Sequence, residues 1–299
     1  MNHAEMMAKI EKGDGFIAAL DQSGGSTPKA LEGYGVERSA WSNDEGMFDL
    51  IHQMRSRIIT APCFGNGKVI GAILFERTMD GTVEGKPTPQ ALIDRGIVPF
   101  IKIDKGLEVD DDGVQMMKPI PGLDQLLERA KSLGVFGTKE RSVINAANAS
   151  MVAVCVAQQF QVAKQVLAHG MVPIIEPEVN IKSADRAASD DLLLSAIVEE
   201  LDEIPDGQRV MLKLSIPATP GLFQPLVDHP KVLRVVALSG GFSRYEACHE
   251  LAKNPGVIAS FSRALLSDLR AQQSDSEFDA TLGHAIDEIY TASTAKVLA

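Results

Sequence analysis

Short apolar runs recur along nearly the whole chain, and segments with helical spacing stand between them. The runs are FIAALD (16–21), VIGAILF (69–75), GIVPFIKI (96–103), GVFGTK (134–139), MVPIIEP (171–177), RVMLKLSI (209–216), LRVVALS (233–239) and GVIASFS (256–262). They are rich in Val and Ile, and most end near Gly, Pro, Ser or a charge, which predicts strands. Their near-continuous apolar character predicts parallel strands covered on both faces. The intervening segments predict helices over 47–54, 122–134, 148–170, 189–204 and 243–256. Gly134 serves as a stop signal, and Ser189 as an N-cap. After the sixth run, Pro217 and Pro220 leave only GLFQPLVDHP for a helix, so that unit is the weakest.

Eight βα units in 299 residues predict an α/β fold, a (β/α)8 TIM barrel, with an open doubly wound sheet as the alternative. No composition shift or linker divides the chain. It reads as one domain over 1–299, with 266–299 as a C-terminal helical segment.

Charge and composition narrow the function. The net charge is −11, which speaks against nucleic acid, because phosphate-backbone binding needs a basic face. An anionic small molecule would need a local basic pocket. Cys63, Cys155 and Cys248 lie far apart and form no CxxC pair, as suits a reducing cytoplasm. The opening MNHAEMMAKIEKGDGF lacks the apolar core of a signal peptide, and no apolar run is long enough to cross a bilayer. The expectation is a cytoplasmic protein with no membrane partner. The six histidines show no HxH or HxxxH spacing, so nothing in their pattern proposes a catalytic metal site, and neither a metal nor another cofactor is assigned. EVDDDG (108–113) lacks calcium-loop spacing and reads as a solvated loop.

A barrel of this kind carries its site at the carboxyl ends of the strands. Those ends hold Asp21 and Ser23, Lys102 and Asp104, Lys139 and Arg141, Glu176 and Glu178, Lys213, Ser239 to Gly241, and Ser260 with Arg263. Strands have a period of two, so Lys102 shares a face with Asp104, Lys139 with Arg141, and Glu176 with Glu178. If those faces point inward, cations and carboxylates converge on one volume. Lys213 departs furthest from the ordinary pattern, with apolar neighbours on both sides. An ordinary lysine, pKa near 10.4, is a free amine in only about one molecule in 2,500 at pH 7. Desolvation and nearby cations favour the free amine, which attacks carbonyls to give a Schiff base. A structural ion pair with Glu176 or Glu178 is the plainer alternative. Ser-Gly-Gly at 23–25 and 239–241 lets backbone N–H groups approach an anion, and Arg263 follows the eighth run, where a phosphate clamp is common.

The segments ALDQSGGS (19–26), FIKIDKG (100–106), FGTKERSV (136–143), VPIIEPEV (172–179), MLKLS (211–215), LSGGFS (238–243) and SFSRAL (260–265) resemble class I fructose-1,6-bisphosphate aldolases, the Schiff-base type, of a bacterial-like branch. The resemblance implies Lys213 as the Schiff-base lysine and Glu176 as the main proton-transfer residue. It implies that Glu178 orients the lysine, and that Asp21 and Lys139 assist at the C4 hydroxyl and the carbinolamine. It gives Ser239, Gly240 and Arg263 to the C1 phosphate of the ketose, with Gly241 and Ser260 in the same phosphate-binding loops. It gives Lys102, Ser23, Ser26 and Lys29 to the C6 phosphate, with Arg141 as a further substrate contact. The chain departs from the family pattern at Ala30, at Ser262 and at Leu214, where Arg, Gly and Pro are usual. Its nearest tyrosine to the carboxyl end, Tyr290, lies in a helix-like stretch. The implied function is reversible cleavage of fructose 1,6-bisphosphate, with a phosphorylated sugar as partner and a homo-oligomer left open. The alternatives are another Schiff-base barrel enzyme, such as a transaldolase or tagatose-bisphosphate aldolase, and a non-catalytic phosphosugar-binding barrel.

Overall fold

The computed structural model describes residues 1–297; the last two residues of the segment read as 266–299 lie outside them. Eight strands form one parallel sheet in sequence order: β1 Phe16–Leu20, β2 Val69–Leu74, β3 Val98–Lys102, β4 Gly137–Ile144, β5 Val172–Val179, β6 Val210–Ser215, β7 Val232–Leu238 and β8 Ile258–Ala259. A doubly wound sheet would reverse its strand order at a switch point. Here the order never reverses. The amide N–H of Ala19 on β1 donates to the carbonyl oxygen of Phe261, just past β8, at 3.1 Å, and this bond brings the ends of the sheet together. The fold is an α/β TIM barrel.

Helices stand between the strands. The helix α1, His3–Lys12, precedes the barrel, and α2 Ser26–Gly33 and α3 Asp44–Thr60 follow β1. Then come α4 Glu76–Asp80 and α5 Thr88–Asp94 after β2, α6 Leu123–Ser132 after β3, and α7 Ala149–Ala168 after β4. The remainder are α8 Arg186–Asp202, α9 Gln224–Val227, α10 Arg244–Ala252, α11 Arg263–Leu266 and α12 Asp275–Thr294. As the two prolines foretell, the sixth unit has the shortest helix path, a single turn with Pro225 in its first turn.

Three expectations need correction. The fourth strand does not stop at Lys139 but runs on through Arg141 to Ile144. Three successive charges hide it, because one face meets the barrel interior and the other the helix layer. The eighth strand is two residues long rather than seven, because the chain bends away at Ser260 and Phe261 to meet β7 and β1. Ser189 is not an N-cap: α8 starts at Arg186, which leaves Ser189 buried in its first turn. The acidic stretch 108–113 is exposed, as expected, yet the chain just after it pairs with β4 through Val114–Gln115.

The apolar side chains form two layers. The outer layer lies between strands and helices. The inner one fills the amino-terminal half of the barrel with Ile17, Val98, Phe100, Ile174, Met211, Val236 and others. Met6 and Ile10, one turn apart on α1, close the floor of that inner layer. Arg209 holds α1 through Glu11 at 2.8 Å, and Arg234 holds the Glu11 carbonyl at 2.6 Å.

Candidate active site

Following the inward faces of the strands upward, the apolar layer gives way to charge within one alternation. Phe100 is followed by Lys102, Ile174 by Glu176, Met211 by Lys213 and Ala19 by Asp21. The structure therefore brings the sequence-identified Asp21, Lys139, Glu176 and Lys213 together. Lys139 Nζ lies 2.7 Å from Asp21 Oδ2 and 2.9 Å from Glu176 Oε2. Lys213 Nζ lies 3.2 Å from Glu176 Oε1. Glu176 thus bridges two lysines, and Lys213 is only 3 % exposed. Lys102 pairs with Asp104, and Arg141 with Glu178. Glu178 turns to Arg141, so the lysine's ion-pair partner is Glu176.

The local backbone explains how Glu176 and Lys213 find room. The Val172 N–H donates to β4 at Phe136 (3.2 Å), and the Asn180 N–H to β4 at Ile144 (2.8 Å). N–H directions alternate along a strand, so the odd-numbered residues of β5 face β6. Pro177 is one of them and has no N–H to give. The registered ladder between β5 and β6 is confined to Ile174↔Met211 and Ile175↔Leu212. Beyond it, Ser215 Oγ donates to the Val179 carbonyl at 2.6 Å and ties the strands by a side chain instead. Glu176 and Lys213 stand in that gap. From α7, Gln159 Oε1 accepts the backbone N–H of Glu176 at 2.9 Å.

Burial and charge act against each other here. Burial alone would push Glu176 and Asp21 up, yet Lys139 and Lys213 hold both carboxyls below their ordinary values. Burial alone would pull Lys139 down, yet Asp21 and Glu176 raise it. The resting state is therefore two carboxylates and an ammonium at Lys139. For Lys102, burial outweighs the help of Asp104 and lowers the ammonium. Glu140 lies behind this cluster, fully buried on the other face of β4. Neither of its oxygens has an oriented hydrogen bond, and burial, with the nearby charge of Asp104, keeps its carboxyl well above the ordinary range.

The residues expected from the sequence to face an anion lie at the rim. Gly240 and Gly241 turn at φ 59° and 115°, and a Cβ at Gly240 would strike Ile181 at 2.6 Å. Only glycine fits there without moving Ile181. A Cβ at Gly241 would lie 3.7 Å from the guanidinium of Arg263, so the β7 loop and the exposed Arg263 converge. Ser239 is buried at the end of β7, and the buried hydroxyl of Ser260 has no partner among the described residues. Ser23 and Ser26 form a closed turn: the Ser23 N–H donates to Ser26 Oγ (2.9 Å), whose hydroxyl donates to the Ser23 carbonyl (2.8 Å). Lys29 is exposed on α2 and has no ion pair among the described residues.

Among the described residues, no three or more His, Cys, Asp and Glu are grouped to hold a metal ion, and no helix is long and apolar enough to cross a membrane. Cys63, Cys155 and Cys248 are free thiols. Arg55, Glu140 and Gln159 were not found from the sequence. Arg55 was within reach, because its spacing from Ile51, Ile58 and Ile59 puts it on the buried face of α3.

An inward lysine bridged by a carboxylate to a second lysine, beside a glycine-rich loop that converges on an arginine, is an arrangement at the carboxyl end of a (β/α)8 barrel that suits Schiff-base aldolase chemistry. The chain matches the family described as fructose-bisphosphate aldolase class-I over residues 2–199, and it belongs to that family. The matched span ends before β6, so Lys213 rests on the geometry above. The fold is similar along almost all its length to a fructose-bisphosphate aldolase from Plasmodium falciparum, solved in complex with TRAP and a small-molecule inhibitor. That match has 22 % identity and a TM-score of 0.78, and covers 99 % of this chain and 95 % of the other. A Corynebacterium glutamicum protein is similar at 12 % identity and a TM-score of 0.54, covering 97 % of this chain and 92 % of the other. A Schiff-base-forming fructose-1,6-bisphosphate aldolase is similar at 12 % identity and a TM-score of 0.53, covering 95 % and 100 %.

Proposed function

We propose that this chain cleaves fructose 1,6-bisphosphate reversibly into dihydroxyacetone phosphate and glyceraldehyde 3-phosphate through a Schiff base on Lys213. The observation that carries the reading is the buried contact of Lys213 with Glu176 at 3.2 Å, in the one stretch where β5 and β6 lose their ladder. Lys213 gives a proton to its nearest acceptor, Glu176, and the free amine attacks the C2 ketone. Glu176 returns that proton to the carbinolamine oxygen, and loss of water leaves an iminium and Glu176 again a carboxylate; the iminium is an electron sink that lets the C3–C4 bond break. The C4 hydroxyl gives its proton to a carboxylate. Glu176 leads for that role, and Asp21 stands on the other side of Lys139. The aldehyde departs, the enamine takes a proton at C3, and water releases the ketose phosphate. The Lys139 ammonium stabilises both carboxylates throughout and would assist departure of the carbinolamine oxygen by hydrogen bonding to it, without losing its proton.

The phosphate ends fit the rim residues. Ser239, Gly240, Gly241, Ser260 and Arg263 would hold the C1 phosphate. Lys102, Arg141, Ser23, Ser26 and Lys29 would face the other end. Because the lysine supplies the electron sink, turnover is expected to persist in EDTA.

The test is to incubate the protein with dihydroxyacetone phosphate, reduce with borohydride and map the adduct by mass. An adduct on Lys213 is expected. No adduct, or one on Lys139 alone, would return Lys213 to a structural ion pair and favour a phosphosugar-binding barrel. Turnover on fructose against tagatose bisphosphate, with a transfer assay, separates the aldolase from related Schiff-base enzymes.

A further inference from the structure

Arg55 on α3 is 1 % exposed, among the largest side chains the protein encloses completely. Each of its hydrogen bonds goes to a neutral oxygen. Nη1 donates to Thr78 Oγ1 (2.7 Å), and Nη2 to the carbonyl and the side-chain oxygen of Gln22 (2.6 and 3.1 Å). Nε has no partner. Burial pulls the guanidinium down to about 10 while the charge of Asp21 supports it, so Arg55 is a cation at neutral pH. Asp21 itself is engaged by Lys139 at 2.7 Å. Removing a guanidinium from water without a carboxylate beside it is unfavourable, so such a charge calls for a counterion from elsewhere.

The site around it is balanced without it. Lys102, Lys139, Arg141 and Lys213 are four cations, and Asp104, Asp21, Glu176 and Glu178 are the four carboxylates that pair with them. Arg55 is a further cation beneath the first βα loop, with no carboxylate paired to it among the described residues. Its charge is passed outward by the peptide it grips. The bond to the Gln22 carbonyl polarises the Gln22–Ser23 peptide, and the N–H of that same peptide donates to Ser26 Oγ. The grip also fixes position: Gln22 Nε2 donates to Ser262 Oγ (2.5 Å), next to Arg263, so the first and eighth loops are locked across the seam of the barrel.

We propose that Arg55 is a positioning residue for the anion seated over the first βα loop, and that its unbalanced charge, acting through Gln22, Ser23 and Ser26, selects ketose bisphosphates over monophosphates. The proposal rests on the aldolase reading and names the specificity of its second phosphate end.

The test compares Arg55→Met and Arg55→Lys on fructose 1,6-bisphosphate and fructose 1-phosphate. Arg55→Met is expected to raise KM for the bisphosphate at least tenfold, to leave KM for the monophosphate within threefold, and to leave kcat on either within threefold. Arg55→Lys keeps the charge and is expected to keep the KM ratio within threefold of the parent. Equal losses on both sugars, or a fall in kcat with the ratio unchanged, would make Arg55 a support for Asp21 or for the fold and overturn the proposal. Should Arg55→Met fail to fold, Gln22→Glu sets a carboxylate against the intact guanidinium, and an unchanged ratio there overturns it equally. Calorimetric titration of the parent and variants with the two sugars reads the same ratio in Kd without turnover. The borohydride adduct on Lys213 separately reports whether the aldolase reading stands.

Discussion

The two halves of the barrel interior are built from the same strands and differ by one alternation. Below, Ile17, Val98, Phe100, Ile174 and Met211 pack against each other and against Met6 and Ile10 of α1. Above, Asp21, Lys102, Lys139, Glu176 and Lys213 occupy the same inward register. The lower half gains from every side chain removed from water. The upper half loses the hydration of its charges and recovers it only through pairs, a balance that often leaves a buried ion pair no better than an apolar replacement. One half holds the barrel shut, and the other is tolerated for what it does.

That contrast can be broken at named residues. The largest effect is expected at Lys213→Met: turnover falls by at least about a thousandfold, the borohydride adduct disappears, and the melting temperature stays near or above that of the parent. A large loss of stability in parallel would mean that Lys213 belongs to the scaffold. Glu176→Gln is expected to lower kcat by about a hundredfold or more, the range for losing a positioned proton-transfer group. Lys139 keeps Asp21, so the variant should still fold, as circular dichroism will report. In the lower half the signs reverse. Phe100→Ala is expected to cost about 3–5 kcal/mol of stability in urea titrations while turnover per folded molecule stays within about twofold of the parent. A selective loss of kcat there would erase the division.

The smallest effect sharpens the comparison at the boundary. Glu140 is buried with its pKa raised, so the native carboxyl stays neutral where the unfolded one ionises. The penalty it imposes is absent below the ordinary glutamate range, near about 4.3, and grows as pH rises through it. Glu140→Gln is therefore expected to raise the melting temperature at neutral pH and to leave it unchanged near pH 3. An equal gain at both values would locate the cause in packing instead.

Most of the barrel was legible because its strands are apolar on both faces, and that signal survives without knowledge of neighbours. The inward charges at the carboxyl ends were legible for the same reason: a lysine between Leu212 and Leu214 stands out from its surroundings. What escaped was set by partners distant in sequence. Lys139-Glu140-Arg141 reads as the end of a strand until two different layers are known to take alternate residues. Gln159 looks like any polar residue of α7 until its carbonyl meets the Glu176 amide. Arg55 lies on an apolar helix face, but what it grips belongs to a loop 33 positions earlier. The length of β8 was set by where β7 and β1 would draw the chain, which no local pattern encodes.

The pairing of Lys102, Lys139, Arg141 and Lys213 with carboxylates has a consequence for traffic to the site. Seen from a distance, the protein presents its net charge of −11, and the cations left at the site, Arg55 beneath the first loop and Arg263 and Lys29 at the rim, are too few to reverse it. An incoming bisphosphate is therefore repelled over the last Debye lengths of its approach and attracted only once it reaches the rim. Added salt should quicken capture, contrary to the usual behaviour of anion-binding enzymes, and should also shorten residence. Stopped-flow association of dihydroxyacetone phosphate across a salt series would show the two rates rising together.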